Sequence, residues 1–201
     1  MRFNTKLLHG NKMGDANTGA TLTPVYQSSA FYQPSAEQHE KLFHNKATGF
    51  SYTRINNPTI FAFEECMTTL EGGIASVACA SGMAAITNAL LNIVTCGQEI
   101  VASTSLYGGS IDVFHDFEAF GIKTVFVDIS DVNAVEAAIN ENTRVIFAET
   151  IGNPKLDVVD IGALAELAHR HELPLVMDNT VATAYLVKPI EKGADIVVNS
   201  T

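Results

Sequence analysis

An α/β domain built on a mostly parallel sheet is the fold that this sequence predicts, on three observations. From residue 58 onward, short apolar runs alternate with segments of helical periodicity. The runs are mostly apolar, without polar alternation at their centres, as strands buried on both faces are. Each ends on small, polar or acidic residues. The elements follow in order. Pro58 suits the first turn of a helix, and FAFEECMTTLEGG ends on paired glycines, a stop signal. IASVACA (74–80) reads as a short buried strand. Gly82 to Val94 reads as a helix, with Met83, Ile86, Leu90, Ile93 and Val94 near helical spacing. EIVAST precedes a helix from Ser110 to Phe120, KTVFVDI one from Val132 to Asn140, and RVIFAET one from Ile161 to His171. LPLVMDN and ADIVVNS complete the series. Residues 1–57 differ: Gly10, Gly14, Gly19 and Gly49, polar punctuation and few long apolar periods predict an irregular N-terminal arm ahead of the sheet domain at 58–201.

Composition excludes several classes. At 201 residues the chain suffices for one domain of good size, and nothing about its size calls for disulfides. A net charge of -10, from 12 Lys plus Arg against 22 Asp plus Glu, leaves no electrostatic footprint for nucleic acid or an anionic membrane. The three cysteines, Cys66, Cys79 and Cys96, lack CxxC spacing and sit in apolar segments, which fits a reducing compartment. No basic-then-apolar leader opens the chain, so the expected location is the cytoplasm. Gly72 to Gln98 runs 27 residues without a charge, but its Gly, Ser, Thr and Asn residues break any uniformly apolar block, and strand then helix is the better account than a membrane span.

The carboxyl ends of parallel strands line the ligand crevice of an open α/β sheet. Here they read Ser81-Gly82-Met83, Leu106-Tyr107-Gly108-Gly109, Glu149-Thr150 with Asn153, Asp178-Asn179-Thr180, and Ser200-Thr201. Ser81-Gly82 opening a helix after a strand leaves backbone N–H groups free where the dipole favours an anion, a seat for phosphate; the same residues also serve as ordinary caps. Asp178 ends an apolar run, where a carboxylate needs a partner. That partner is either a ring nitrogen held protonated or the next helix or turn that it caps. Tyr107 stands beside a glycine backbone that can be approached closely, suited to stack on a planar cofactor or to pack in the core. GxGxxG, GxxxxGK[ST] and GxSxG are absent. The histidines form no HxxxH or His/Cys cluster, and no metal site is expected.

Together with YTRINNPT (52–59), these strand ends resemble the cysteine and methionine metabolism family of pyridoxal-phosphate enzymes. TPVYQSSAF, YTRINNPT, ACASGMAAI, LYGGS, ETIGNP, VMDNT and ADIVVNS follow in the family's order along the whole chain. The resemblance implies a three-layer sandwich of the aspartate aminotransferase-like fold type I, with pyridoxal 5'-phosphate as cofactor. It implies that Ser81, Gly82 and Met83 hold the phosphate, with a hydroxyl from Ser200. Tyr52 and Arg54, in the arm, match the family's pair that reaches a phosphate in the neighbouring subunit. A homodimer at least, and a homotetramer beyond it, follow from the likeness. Tyr107 then stacks on the pyridine and helps to move a proton, and Asp178 pairs with the ring nitrogen, keeping the ring an electron sink. Asn153 and Glu149 order the ring hydroxyl and its surroundings, with Thr180 beside the ring. The family pattern puts the lysine that binds the cofactor two positions beyond Thr201. It therefore implies a longer subunit with a C-terminal domain, and none of the eight lysines, Lys155 and Lys188 included, occupies that position.

Within the family, Gly109 stands where lyases that degrade methionine are similar to one another in carrying a reactive Cys. The arm from Phe31 to Thr59, with its HEKLF element, looks most like that of O-acetylhomoserine sulfhydrylases. The implied reaction replaces the acetate of O-acetylhomoserine by sulfide and gives homocysteine, as in methionine biosynthesis. The alternatives are cystathionine γ-synthase, methionine γ-lyase, or a binding or scaffold protein on the same fold if the lysine is lacking.

Overall fold

The computed structural model describes residues 2–10, 14–44 and 46–201; the parts of the expected arm at 1, 11–13 and 45 lie outside the described residues. The chain divides into two compact units, Met1–Ala78 and Cys79–Thr201.

The first unit carries α1 (Phe3–His9), α2 (Ala36–Phe43) and α3 (Pro58–Glu71), joined by irregular stretches. Local chemistry sets each boundary. The Ser35 hydroxyl caps α2 by accepting from the Gln38 amide, and Glu37 pairs with Lys41 one turn on at 2.6 Å. Asn57 caps α3, its side-chain oxygen accepting from the Thr59 amide at 2.8 Å, and Pro58 follows at the first helical position. Gly72 ends the helix at φ 77°, in the left-handed region that glycine enters without steric cost. The Asn57 amide group also donates to the Tyr26 carbonyl and the Thr53 hydroxyl, both at 3.0 Å. YTRINNPT is thereby pinned to TPVYQSSAF, and a bridge between Ala30 and Tyr52 adds a second tie. Ala62 and Leu70 of α3 are buried, whereas Tyr32, Ile60, Phe61 and Phe63 are exposed.

The second unit runs α4 (Gly82–Leu91), β1 (Glu99–Ser103), α5 (Gly108–Asp116), β2 (Lys123–Val127), α6 (Val132–Ala138), β3 (Thr143–Glu149), α7 (Ile161–Arg170), β4 (Leu175–Asp178), α8 (Thr183–Leu186) and β5 (Ile196–Val198). Its strands form one five-stranded sheet in the order β2-β1-β3-β4-β5, with every pairing parallel. Successive side chains of a strand point to opposite faces. Val101, Ile146, Ala148, Leu175 and Met177 accordingly pack with Val135 of α6 and Leu164 and Leu167 of α7. Ile100, Ala102, Val145, Phe147, Val176 and Val198 pack with Ile86 and Leu90 of α4 and Phe114 of α5. Helices on both faces of a parallel sheet make the expected three-layer sandwich. The strand order reverses between β1 and β3, and at such a switch point the loops leaving the two carboxyl ends diverge and open a crevice.

One expected element is absent. IASVACA forms no strand: among the described residues no strand pairs with 74–80, and Ile74 and Val77 are 103% and 82% exposed. A strand exists by its ladder, and an apolar, β-branched run supplies only a surface fit for one. The segment is held instead by the Glu64 carboxylate, which accepts from the Ala78 amide at 2.8 Å.

Candidate active site

The start of α4 and the ends of β4 and β5 meet at the carboxyl edge of the sheet. Ser81 caps α4, its hydroxyl accepting from the Ala84 amide at 3.1 Å. The Gly82 and Met83 amides lie in the first turn, where a helix offers no backbone partner. A Cβ on Gly82 would stand 2.6 Å from Cβ and 2.9 Å from Oγ of Ser200, so glycine is what lets the β5 end reach the helix. The Ser200 amide donates to the Thr180 hydroxyl at 2.9 Å, and the Thr180 amide donates to Asp178 at the same distance. A bonded string thus runs from Ser200 through Thr180 to Asp178, with Ser200 packed closely against the helix start at Gly82.

A second string lies beside it. Glu149 and Asp178 are register partners at the ends of β3 and β4. Alternation carries them, after Phe147 and Val176, onto the face covered by α4 and α5. Glu149 is 5% exposed, and both of its oxygens are occupied. One accepts from the Tyr107 amide at 2.6 Å and the other from the Asn153 amide at 3.1 Å. Burial pushes the Glu149 carboxyl up to about 7, and the nearby Asp178 and Asp157 carboxylates push the same way against these two amide bonds. Tyr107, at the start of α5, is 51% exposed. Its ring lies over Gly109, where a Cβ would come within 2.6 Å of Cε1.

Nine of the residues singled out from sequence therefore belong to the second unit: Ser81, Gly82, Met83, Tyr107, Glu149, Asn153, Asp178, Thr180 and Ser200. Tyr52 and Arg54 belong to the first unit, both exposed, with the Arg54 guanidinium 5.3 Å from the centre of the Tyr52 ring. The sequence reading missed Ser105 and Asp157, whose side chains bond at 2.5 Å across the turns after β1 and β3. Gly152 packs against both, and a Cβ there would collide with them. It also missed the buried bond from the Thr150 hydroxyl to the Asn179 side-chain oxygen, at 2.9 Å. These pairs lie 52 and 29 residues apart, and no local pattern announces them. Among the described residues no cluster of His, Cys, Asp and Glu suits a metal ion, and no helix is long and apolar enough to cross a membrane. His169 pairs with Asp195 at 3.0 Å and His171 with Glu136 at 3.1 Å, both away from the strings described above.

A sequence model of the family described as Cys/Met metabolism PLP-dependent enzyme matches residues 4–201. The chain is 46% identical over 200 residues to the O-acetyl-L-homoserine sulfhydrylase of Corynebacterium glutamicum, covering 98% of this chain and 46% of that protein. It is 40% identical over 199 residues to the L-methionine gamma-lyase of Pseudomonas putida, covering 98% of this chain and 50% of that protein. Its structure is similar to a Campylobacter jejuni protein described as an O-acetylhomoserine (thiol)-lyase, which carries a pyridoxyl-lysine phosphate. The TM-score is 0.94 at 32% identity, over 100% of this chain and 50% of that one. The chain spans about half the length of the curated relatives it matches.

Proposed function

We infer the function from one premise: the chain belongs to the Cys/Met metabolism family of PLP-dependent enzymes. Its residues fit that cofactor. At Gly82 the missing Cβ brings the Ser200 hydroxyl beside the free amides of a helix start, a donor set suited to a phosphate. Asp178 stands on the same bonded string with a carboxylate suited to a protonated ring nitrogen. This string is the single observation that carries the reading. Ser81, Gly82, Met83 and Ser200 would hold the phosphate, Tyr107 would stack on the pyridine, and Asn153 and Thr180 would flank it. When bound, the cofactor supplies an electron sink for charge developed on substrate carbons. Asp178 would hold the proton on the ring nitrogen, and the Tyr107 hydroxyl would carry a proton near the leaving group.

The proposed reaction is a γ-replacement: O-acetylhomoserine and sulfide give homocysteine and acetate, the Cγ–O bond breaking and a Cγ–S bond forming. The higher identity to the sulfhydrylase than to the γ-lyase supports it. Tyr52 and Arg54 would serve the phosphate of a neighbouring subunit, so the protein works as a homodimer at least and a homotetramer in the fuller reading. The exposed apolar side chains of the first unit, Tyr32, Ile60, Phe61 and Phe63 among them, favour a covered surface. Three free cysteines suit the cytoplasm.

The test uses a protein of the relatives' length, loaded with pyridoxal phosphate and given O-acetylhomoserine with sulfide, with cysteine or with no thiol. Homocysteine and acetate in equal amounts with sulfide are expected. Cystathionine formed in preference indicates a synthase, and an α-keto acid with ammonia formed without thiol indicates a lyase. Failure to form homocysteine overturns the assignment.

A further inference from the structure

Tyr107 is held by its backbone. Its ring is half exposed, and its side chain makes no capping bond to α5. Its carbonyl accepts from the Ser110 and Ile111 amides at 2.9 and 3.2 Å, inside α5. The Tyr107 amide itself is tied to the end of β3 by its bond to Glu149, across 42 residues of sequence. Asn153 is placed the same way, through its amide, on the other oxygen of the same carboxylate. Glu149 therefore spans the switch point between β1 and β3, and together with the Ser105–Asp157 bond it joins the two loops that leave it.

A carboxylate is the side chain that this geometry needs. Ionised, it accepts at both oxygens, whereas a glutamine of the same shape turns a donor toward one of the two amides. The site gives the acid no other support, since it is buried and faces Asp178 on β4 and Asp157 on the loop after β3. Above about pH 7, where it is ionised, the acid accepts from both backbone donors at once.

We propose that Glu149 is a positioning residue that grips the Tyr107 and Asn153 amides together and so sets the tilt of the Tyr107 ring and the reach of the Asn153 side chain. It acts through the backbone, and not directly on the pyridine hydroxyl. The inference rests on the proposed cofactor site for its consequence, but the grip itself is a property of this chain alone.

The experiment compares wild type with Glu149→Gln and with Glu149→Asp, which keeps the charge but is one methylene too short to reach both amides. The protein is of the relatives' length, with and without pyridoxal phosphate. Amide hydrogen exchange at Tyr107 and Asn153 is expected to rise about tenfold in the variants, while Ile146 and Phe147 in β3 stay protected. With cofactor, its induced circular dichroism should fall by about half and kcat by about tenfold or more, with KM and cofactor affinity nearly unchanged.

Unchanged exchange overturns the grip. Faster exchange with unchanged dichroism and kcat overturns the positioning role and leaves a local structural bond. A variant that fails to fold does not remove the test, because rapid exchange of these two amides in wild type also overturns the grip. If wild type takes up no pyridoxal phosphate, the proposed function fails, while the exchange measured without cofactor still decides the grip.

Discussion

Two neighbouring acids end adjacent strands at the carboxyl edge of the sheet, and their surroundings divide their work. Asp178 is partly accessible and bonded to the Thr180 amide, whereas Glu149 is buried with its carboxyl raised from 4.5 to about 7 by desolvation first and the nearby carboxylates next. Between those two values the folded protein keeps a proton on Glu149 that the unfolded chain has lost. This contribution to stability is therefore fully present below 4.5, falls as pH rises, and is gone above about 7. Its slope is at most about 1.4 kcal/mol per pH unit. Glu149→Gln should flatten the wild-type decline over that window, and urea midpoints of the two proteins measured from pH 4.5 to 8 check it; parallel curves would contradict the assignment. Asp178→Asn tests the other acid. It should leave cofactor bound while turnover drops by about a hundredfold or more, and near-normal turnover would remove Asp178 from the chemistry. Both acids are legible in sequence as charges that close apolar runs, RVIFAE and LPLVMD. The partners of Glu149 are not, because they are backbone amides with no residue identity to read.

Elements divide along similar lines. The strands β1, β3 and β4 could be read because helices cover both of their faces, which makes the centre of each run apolar. IASVACA has the same composition and yet pairs with no strand among the described residues, since a ladder depends on a second segment that local sequence does not specify. Helix boundaries were legible where one residue both caps and signals. Asn57 does so for α3, and its side chain makes three bonds: it accepts from the Thr59 amide and donates to Tyr26 and Thr53. Asn57→Ala should cost about 2 kcal/mol, the upper range for loss of a helix cap, because the ties to the arm go with it. A Thr69→Ala variant on the same helix, which loses only a 3.3 Å bond to the Gly10 carbonyl, is a suitable control. Thermal or denaturant unfolding decides between them, and equal losses for the two variants would show that the ties contribute nothing beyond an ordinary surface bond.

At the scale of the molecule, the proposed site would draw on two chains. The second unit supplies the helix start, the acids and Tyr107, and Arg54 and Tyr52 would come from the first unit of a neighbour. In a closed homodimer the two sites are equivalent, so each subunit both gives and receives that pair. This makes the arrangement testable without a further structure. An Arg54→Ala subunit keeps its own Asp178 but gives its partner no guanidinium, and an Asp178→Asn subunit gives Arg54 but has a disabled site. Each alone should be nearly inactive. Mixed within one dimer, the Arg54→Ala subunit's site regains both groups, while the other site lacks both. Random reassociation makes half of the dimers hybrid, each with one restored site of two, so activity should return to about a quarter of wild type. If Arg54 served the site of its own chain, no hybrid would contain an intact site, and mixing would restore nothing. Unfolding and refolding the two variants together, then assaying homocysteine against each refolded alone, separates these outcomes.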